Sequence, residues 1–135
     1  MTATPKEVKH QSDQPGVDAA VSRDGHIAAI RGGVVDVAFD GDVPRIHELL
    51  YAGDVALEVA ALIGDGLVRA MALAPVRGLG LGMAVRNTGG PITVPVGDEV
   101  LGRMLDVFGA PIDGRPAPKG AALRSIHQAP PNLSD

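Results

Sequence analysis

VALEVAALIGDGLVRAMAL, residues 55–73, decides the fold. Val55, Leu57, Val59, Ala61 and Ile63 alternate with Ala56, Glu58, Ala60 and Leu62, and a second run follows from Leu67 to Leu73. Period-2 alternation is the mark of a half-buried strand. Gly64, Asp65 and Gly66 separate the runs, and such residues supply the positive φ angles that a tight hairpin turn requires. The stretch therefore predicts a β-hairpin. Arg69 is its one discordant residue, falling on the same side as Leu67 and Met71. Opposite the side assigned to the core stand Ala56, Ala60, Leu62, Val68, Ala70 and Ala72, with Glu58 the main charge among them. A solvated outer face is usually more polar, so this one is expected to be an intersubunit face covered by a partner. The alternative is that small alanines simply lie on a surface without consequence.

Upstream, GGVVDVAF (residues 32–39) places Val35, Val37 and Phe39 on one face and Asp36, Ala38 and Asp40 on the other, a further strand. Gly32 and Gly33 before it suggest a bulge or sharp bend. GDVPRIHELLY (41–51) reads as a turn, one helical turn and then extended chain. Downstream, residues 74–97 are dense in Gly and Pro and predict a loop, a short strand near Met83 to Arg86, a turn at Asn87 to Pro91, and a final strand from Ile92 to Val96. About six short strands between residues 26 and 97 favour a small closed barrel over a sandwich. Residues 1–24 are polar and Pro-containing, too poor in apolar groups to offset the entropy of ordering, and predict a flexible tail that includes His10. After Gly97, the spacing of Val100, Leu101, Met104, Leu105 and Phe108 is helical, with Asp98 as cap and Gly109 as stop, although Gly102 argues against a long helix.

Composition narrows the function. Twelve Lys and Arg against sixteen Asp and Glu leave a net charge of −4, and the aromatics are Phe39, Tyr51 and Phe108 alone. Neither the cationic surplus nor the stacking rings of a nucleic-acid binder are present. With no cysteine, disulfides and thiolate metal sites are excluded. No apolar run reaches the length of a membrane span, about 18 residues. Gly78-Leu79-Gly80-Leu81-Gly82 resembles a dinucleotide loop, but Met83 stands where the last glycine belongs, and no G-x-x-x-x-G-K-[ST] phosphate loop occurs. His26, His47 and His127 are far apart in sequence and predict no metal site. Asp36, Asp40 and Asp42 lack a base, a nucleophile or a pocket beside them, so an outward strand face and a turn explain them without catalysis.

GGVVDVAF, VPRIHELL, ALEVAALIGDGLVRAMAL, NTGGPITVPVGDEVLGRMLDVFGAPIDG and SIHQAPP occur in that order and with matching spacing. Together they resemble the N-terminal part of the beta subunit of F-type rotary ATP synthases, over roughly residues 25–135. The related alpha subunit shares the VPVG-x-x-x-LGR words, whereas residues 55–73 and IHQAPP favour beta; flagellar, secretion-type and vacuolar-type relatives are more distant, and a stand-alone oligonucleotide-binding-like barrel is the alternative outside the superfamily.

The resemblance implies an all-β, six-stranded closed barrel over residues 25–97, with residues 98–135 as linker and incomplete start of an α/β nucleotide-binding domain. It implies a crown in which alpha subunits flank the barrel in a hexameric head, among other rotary ATPase subunits, with no nucleic acid and no membrane insertion, peripheral on the cytoplasmic side of a bacterial inner membrane. The chain is expected to end before the family's phosphate loop, so catalytic, cofactor-binding and metal residues are expected to be none here, with ATP, ADP and Mg belonging to a full-length parent. In isolation it is expected to be monomeric, with residues after about 110 mobile because their strands lack partners. For residues 98–108 the resemblance implies a brief helical turn and then extended chain, the reading preferred over a full helix. Residues 72–77 (ALAPVR) and Gly80-Leu81 depart from the usual beta pattern and point to a divergent relative, such as a second, sodium-moving bacterial ATPase.

Overall fold

A computed structural model describes residues 24–132; the tail expected over residues 1–24 lies, apart from Asp24, outside them. Six strands close into a barrel in the order β1-β2-β5-β4-β3-β6: β1 Asp24–Arg31, β2 Val34–Phe39, β3 Glu48–Ala52, β4 Val55–Gly64, β5 Leu67–Ala72 and β6 Ala84–Pro91. Every neighbouring pair is antiparallel. Closure comes from β1 and β6, where Asp24, Gly25 and His26 pair with Arg86, Val85 and Ala84. The Ile27 amide extends that seam by donating to the Met83 carbonyl at 2.9 Å. A closed ladder leaves no edge strand with unpaired backbone groups.

The interior is filled by Ile27, Val35, Val37, Phe39, Leu50, Ala52, Leu57, Val59, Val68, Ala70 and Val85. Small and β-branched side chains suit a cylinder this narrow, because the inward face of each strand has little room before it meets the opposite wall. Val35, Val37 and Phe39 point inward as their alternation predicts.

Several local expectations are corrected. Gly32 and Gly33 form the turn of the β1–β2 hairpin, and the bulge lies instead in β1 between Ile27 and Ala29. Residues 41–51 contain no helical turn: a turn at Ile46–His47 leads into β3. Asn87 to Pro91 remain in β6 rather than turning away. An irregularity in the β3–β6 register absorbs the Gly pair, and the Thr88 hydroxyl stitches it by donating to the Leu49 carbonyl at 2.8 Å. The last strand, β7 (Thr93–Val96), leaves the barrel and pairs with β8 (Ala122–Ser125). The sixth barrel strand is therefore β1, and Ala122–Ser125 does have a partner.

Between β7 and β8 the chain makes a short 3₁₀ turn at Asp98–Val100 and continues through further turns and bends, with an isolated bridge from Leu105 to Pro111. The brief helical turn is as expected, whereas the extended chain expected after it is confined to residues 103–106, between turns at 101–102 and 107–108. Asp98 is not its cap, because the capping position is Gly97 and no side chain caps it.

Candidate functional site

The β4–β5 hairpin turns at Asp65 and Gly66, with φ of 53° and 76°. Two consecutive positive φ values are the geometry whose twist matches paired strands. Gly66 is fixed for a second reason: a Cβ there would stand 2.5 Å from the Phe39 carbonyl oxygen. The Gly66 carbonyl in turn accepts the Phe39 amide at 2.9 Å, which seats the turn against the end of β2.

The faces of this hairpin differ from the sequence expectation. Leu57 and Val59 point inward and pair with Ala72 and Ala70, which carries those β5 residues inward too; beyond Val59 the β4 register shifts between Val59 and Ala61 and again between Leu62 and Gly64, so that Ala61 pairs with Arg69. One extra residue in a strand reverses the parity of those that follow it. Val68 and Ala70 are fully buried in the core, Ala72 packs against it, and Ala56 is buried as well. These four cannot form an intersubunit face. Of the six residues assigned to it, Ala60 and Leu62 are exposed, and Ile63, expected inside, is exposed too. The apolar groups that the hairpin and its flank offer to a neighbour are Leu62 (53% exposed), Ile63, Met71 (56% exposed) and Leu73.

Arg69 is not discordant on this outer face. Its Nε donates to Asp36 Oδ1 at 2.8 Å and its Nη2 to Asp36 Oδ2 at 3.2 Å, and Arg31 also donates to the same carboxylate. Asp36 sits directly across from Arg69 in the β2–β5 pairing and is the buried charged residue among the described ones. The Arg69 hydrogen bond holds the Asp36 carboxyl below its ordinary 3.8; burial opposes this, and the charges of Arg69 and Arg31 add to it. The same bond raises Arg69. A carboxylate gripped by two guanidiniums is a poor proton acceptor, so Asp36 fixes the barrel wall rather than performing acid–base chemistry. Asp40 and Asp42 are exposed in the segment that follows β2.

A second ion pair governs how the chain leaves the barrel. Arg103 Nε donates to Asp113 Oδ2 at 2.7 Å, Nη2 to Oδ1 at 3.1 Å, and Nη2 also to the Pro116 carbonyl at 2.7 Å. The Arg103 bond holds the Asp113 carboxyl well below the usual carboxylate range; burial opposes it, while the amides of Arg115 and Met104 assist. Between these residues the Asp106 carboxylate accepts the amides of Phe108 and Ala110 at 2.9 and 2.8 Å. Gly109, at φ 79°, allows the loop to close on Pro95, whose ring would stand 2.3 Å from any Cβ at that position. No local sequence signal announces the Asp36 pair, whereas the Arg103 and Asp113 spacing lies within a compact Gly- and Pro-rich segment that invites one. His26 is exposed on β1, whereas His47 and His127 are brought together despite their separation in sequence.

Residues 27–89 match the beta-barrel domain of the ATP synthase alpha/beta family. The chain is 65% identical over 112 residues to ATP synthase subunit beta 2 of Nitrosomonas eutropha, covering 83% of this chain and 23% of that protein. It is 60% identical over 118 residues to ATP synthase subunit beta 1 of Dinoroseobacter shibae, covering 87% and 26%. With Pseudoalteromonas atlantica subunit beta 1 the identity is 48% over 112 residues, covering 82% and 21%. The chain thus spans about a quarter of the length of the relatives it matches.

Proposed function

Through residues 27–89 the chain belongs to the ATP synthase alpha/beta family, as its N-terminal beta-barrel domain of beta-subunit type, and from that premise we propose that it is an assembly domain of a rotary ATPase head. In this reading the barrel takes its place in a ring between alpha-type barrels, within a hexamer peripheral to a membrane on its cytoplasmic side. Nucleotide and Mg chemistry, and ATP synthesis driven by an ion gradient, belong to the complete subunit, with residues 98–135 leading toward the nucleotide-binding domain.

The observation that carries the proposal is the exposure of Leu62, Ile63, Met71 and Leu73 along one hairpin and its flank, in a barrel whose interior is already filled. Large apolar groups exposed near one another on a hairpin suit a protein interface, where their burial supplies the driving force. No helix among the described residues is long and apolar enough to cross a membrane. A barrel of this size offers only part of a stable interface, so association is expected to be weak until the larger downstream domains also join.

The experiment introduces Leu62→Asp into the complete subunit and follows its incorporation into the head by native mass spectrometry. Impaired incorporation with a barrel that remains folded supports the proposal, and undiminished incorporation of this variant and of Met71→Asp refutes it. The chain alone is expected to sediment as a monomer and to hydrolyse no ATP.

A further inference from the structure

Among the described residues, one cluster of metal-ligating side chains lies outside both arginine locks and borders the hairpin face through Glu58: His47, Glu58 and His127. The three come from separate parts of the fold. His47 is in the turn before β3, held at a positive φ of 73° while its amide donates to the Val59 carbonyl at 2.8 Å. Glu58 is on β4, paired with Leu49 and Met71 and facing outward. His127 follows β8, and its amide donates to the Ser125 hydroxyl at 3.1 Å. The fold thus sets both imidazoles against one carboxylate: His127 Nε2 lies 2.9 Å from Glu58 Oε2 and His47 Nδ1 lies 3.8 Å from Glu58 Oε1. All three ligand atoms fall within 4.8 Å of one another.

We propose that His47, Glu58 and His127 form a transition-metal site, of a kind that suits Zn²⁺, which staples the segment after β8 to the barrel wall. Two imidazole nitrogens and a carboxylate are a borderline donor set that favours Zn²⁺ over Mg²⁺ or Ca²⁺. Bonds of about 2.0–2.2 Å at tetrahedral angles place ligand atoms about 3.3 Å apart, within the range the side chains already span. The rings are stacked, with centroids 3.8 Å apart and planes at 21°, so their lone pairs lie in nearly parallel planes and one ring must turn for both to meet a single ion. His47 is free to do so, because its side chain is 51% exposed.

The surroundings leave room for water on the remaining coordination positions, since a shallow groove lined by Arg45, Ile46, His47, Glu48, Pro91 and His127 opens beside the cluster. Glu48 adds negative charge there, although Asn87 already donates to it at 3.0 Å, and Arg45 partly offsets that charge. An ion here joins positions 47, 58 and 127, which are far apart along the chain, and restrains the exit segment in a way that the β7–β8 ladder alone does not. Ligation requires deprotonated imidazoles, so binding weakens on acidification.

The test is calorimetric titration of the 135-residue chain with ZnCl₂ in a non-chelating buffer at neutral pH, with the thermal midpoint followed in parallel. One saturable site per chain is expected, together with a rise in the midpoint, because an ion that binds only the folded state stabilises it. His127→Ala and His47→Gln should each weaken binding by about tenfold or more and reduce the rise. His47→Gln alters an exposed turn side chain and guards against a mere folding defect. A His10→Gln/His26→Gln double variant should bind as the parent does. Absence of saturable binding, binding unaltered by both cluster variants, or binding lost in the double variant overturns the proposal.

Discussion

Arg69 and Asp36 illustrate how one residue pair can settle the orientation of a strand. Because Asp36 is buried and receives both guanidiniums, β5 must present Arg69 outward and Val68 and Ala70 inward. Asp36→Ala removes a partner from two arginines that can still reach water, so the expected loss is about 1–2 kcal/mol rather than the ~3–5 kcal/mol of a fully buried broken pair, as read from chemical denaturation. The pH dependence has a definite sign. Asp36 and Asp113 both have carboxyls lowered by folding from an ordinary 3.8. The unfolded chain therefore takes up protons first as pH falls, and stability that is complete at neutral pH declines through and below that value. Asp36→Asn should flatten this acid limb in a urea midpoint series from pH 6 to pH 2, an estimate of range set by ordinary carboxylate values near ~4. An unchanged slope would show that Asp36 is not held as described. Gly66→Ala is expected to cost about 2 kcal/mol or more, because positive φ and the Phe39 carbonyl both oppose a Cβ and neither can give way cheaply.

At the scale of elements, the hairpin was legible in residues 55–73 because alternation and turn residues coincide; its facing was not. Alternation alone gives two candidate faces for Leu67–Ala72 and does not say which of them meets the core. The bulge after Val59 reverses parity midway along β4, and no side-chain pattern announces where an extra residue will be accommodated. Arg69 was the available signal, since a charged residue on an apolar face indicates that the face is outward. The Gly- and Pro-rich stretch from residue 87 to 91 hides its strand for a related reason: glycines that mark a turn in isolation here mark an irregular strand, held because β3 pairs at both ends of it. A paired substitution tests the corrected facing. Val68→Asp should abolish folding by placing a charge in the core, whereas Leu62→Asp should change stability by no more than about 0.5 kcal/mol. Circular dichroism melts distinguish the two, and a folded Val68→Asp would contradict the assignment. Leu57→Ala, which opens a cavity in the wall, is expected to cost about 3 kcal/mol by the same melts.

For the whole molecule, the strand count and the barrel followed from repeated short strands and turn signals, and the family from ordered motifs. Contacts between distant segments did not. His47 and His127 meet on Glu58 only because the fold returns the exit segment toward the barrel, which no local spacing records. The central claim is that residues 24–91 close on themselves, so that the apolar hairpin face is a surface for neighbours and not part of an unfinished sheet. The most direct measurement is nuclear Overhauser spectroscopy across the seam between β1 and β6. Cross-strand contacts between Gly25 and Val85 and between His26 and Ala84, with slow exchange of the Ile27 amide, are the predicted result. Absence of those contacts, with rapid exchange along β1, would mean an open sheet and would contradict the account.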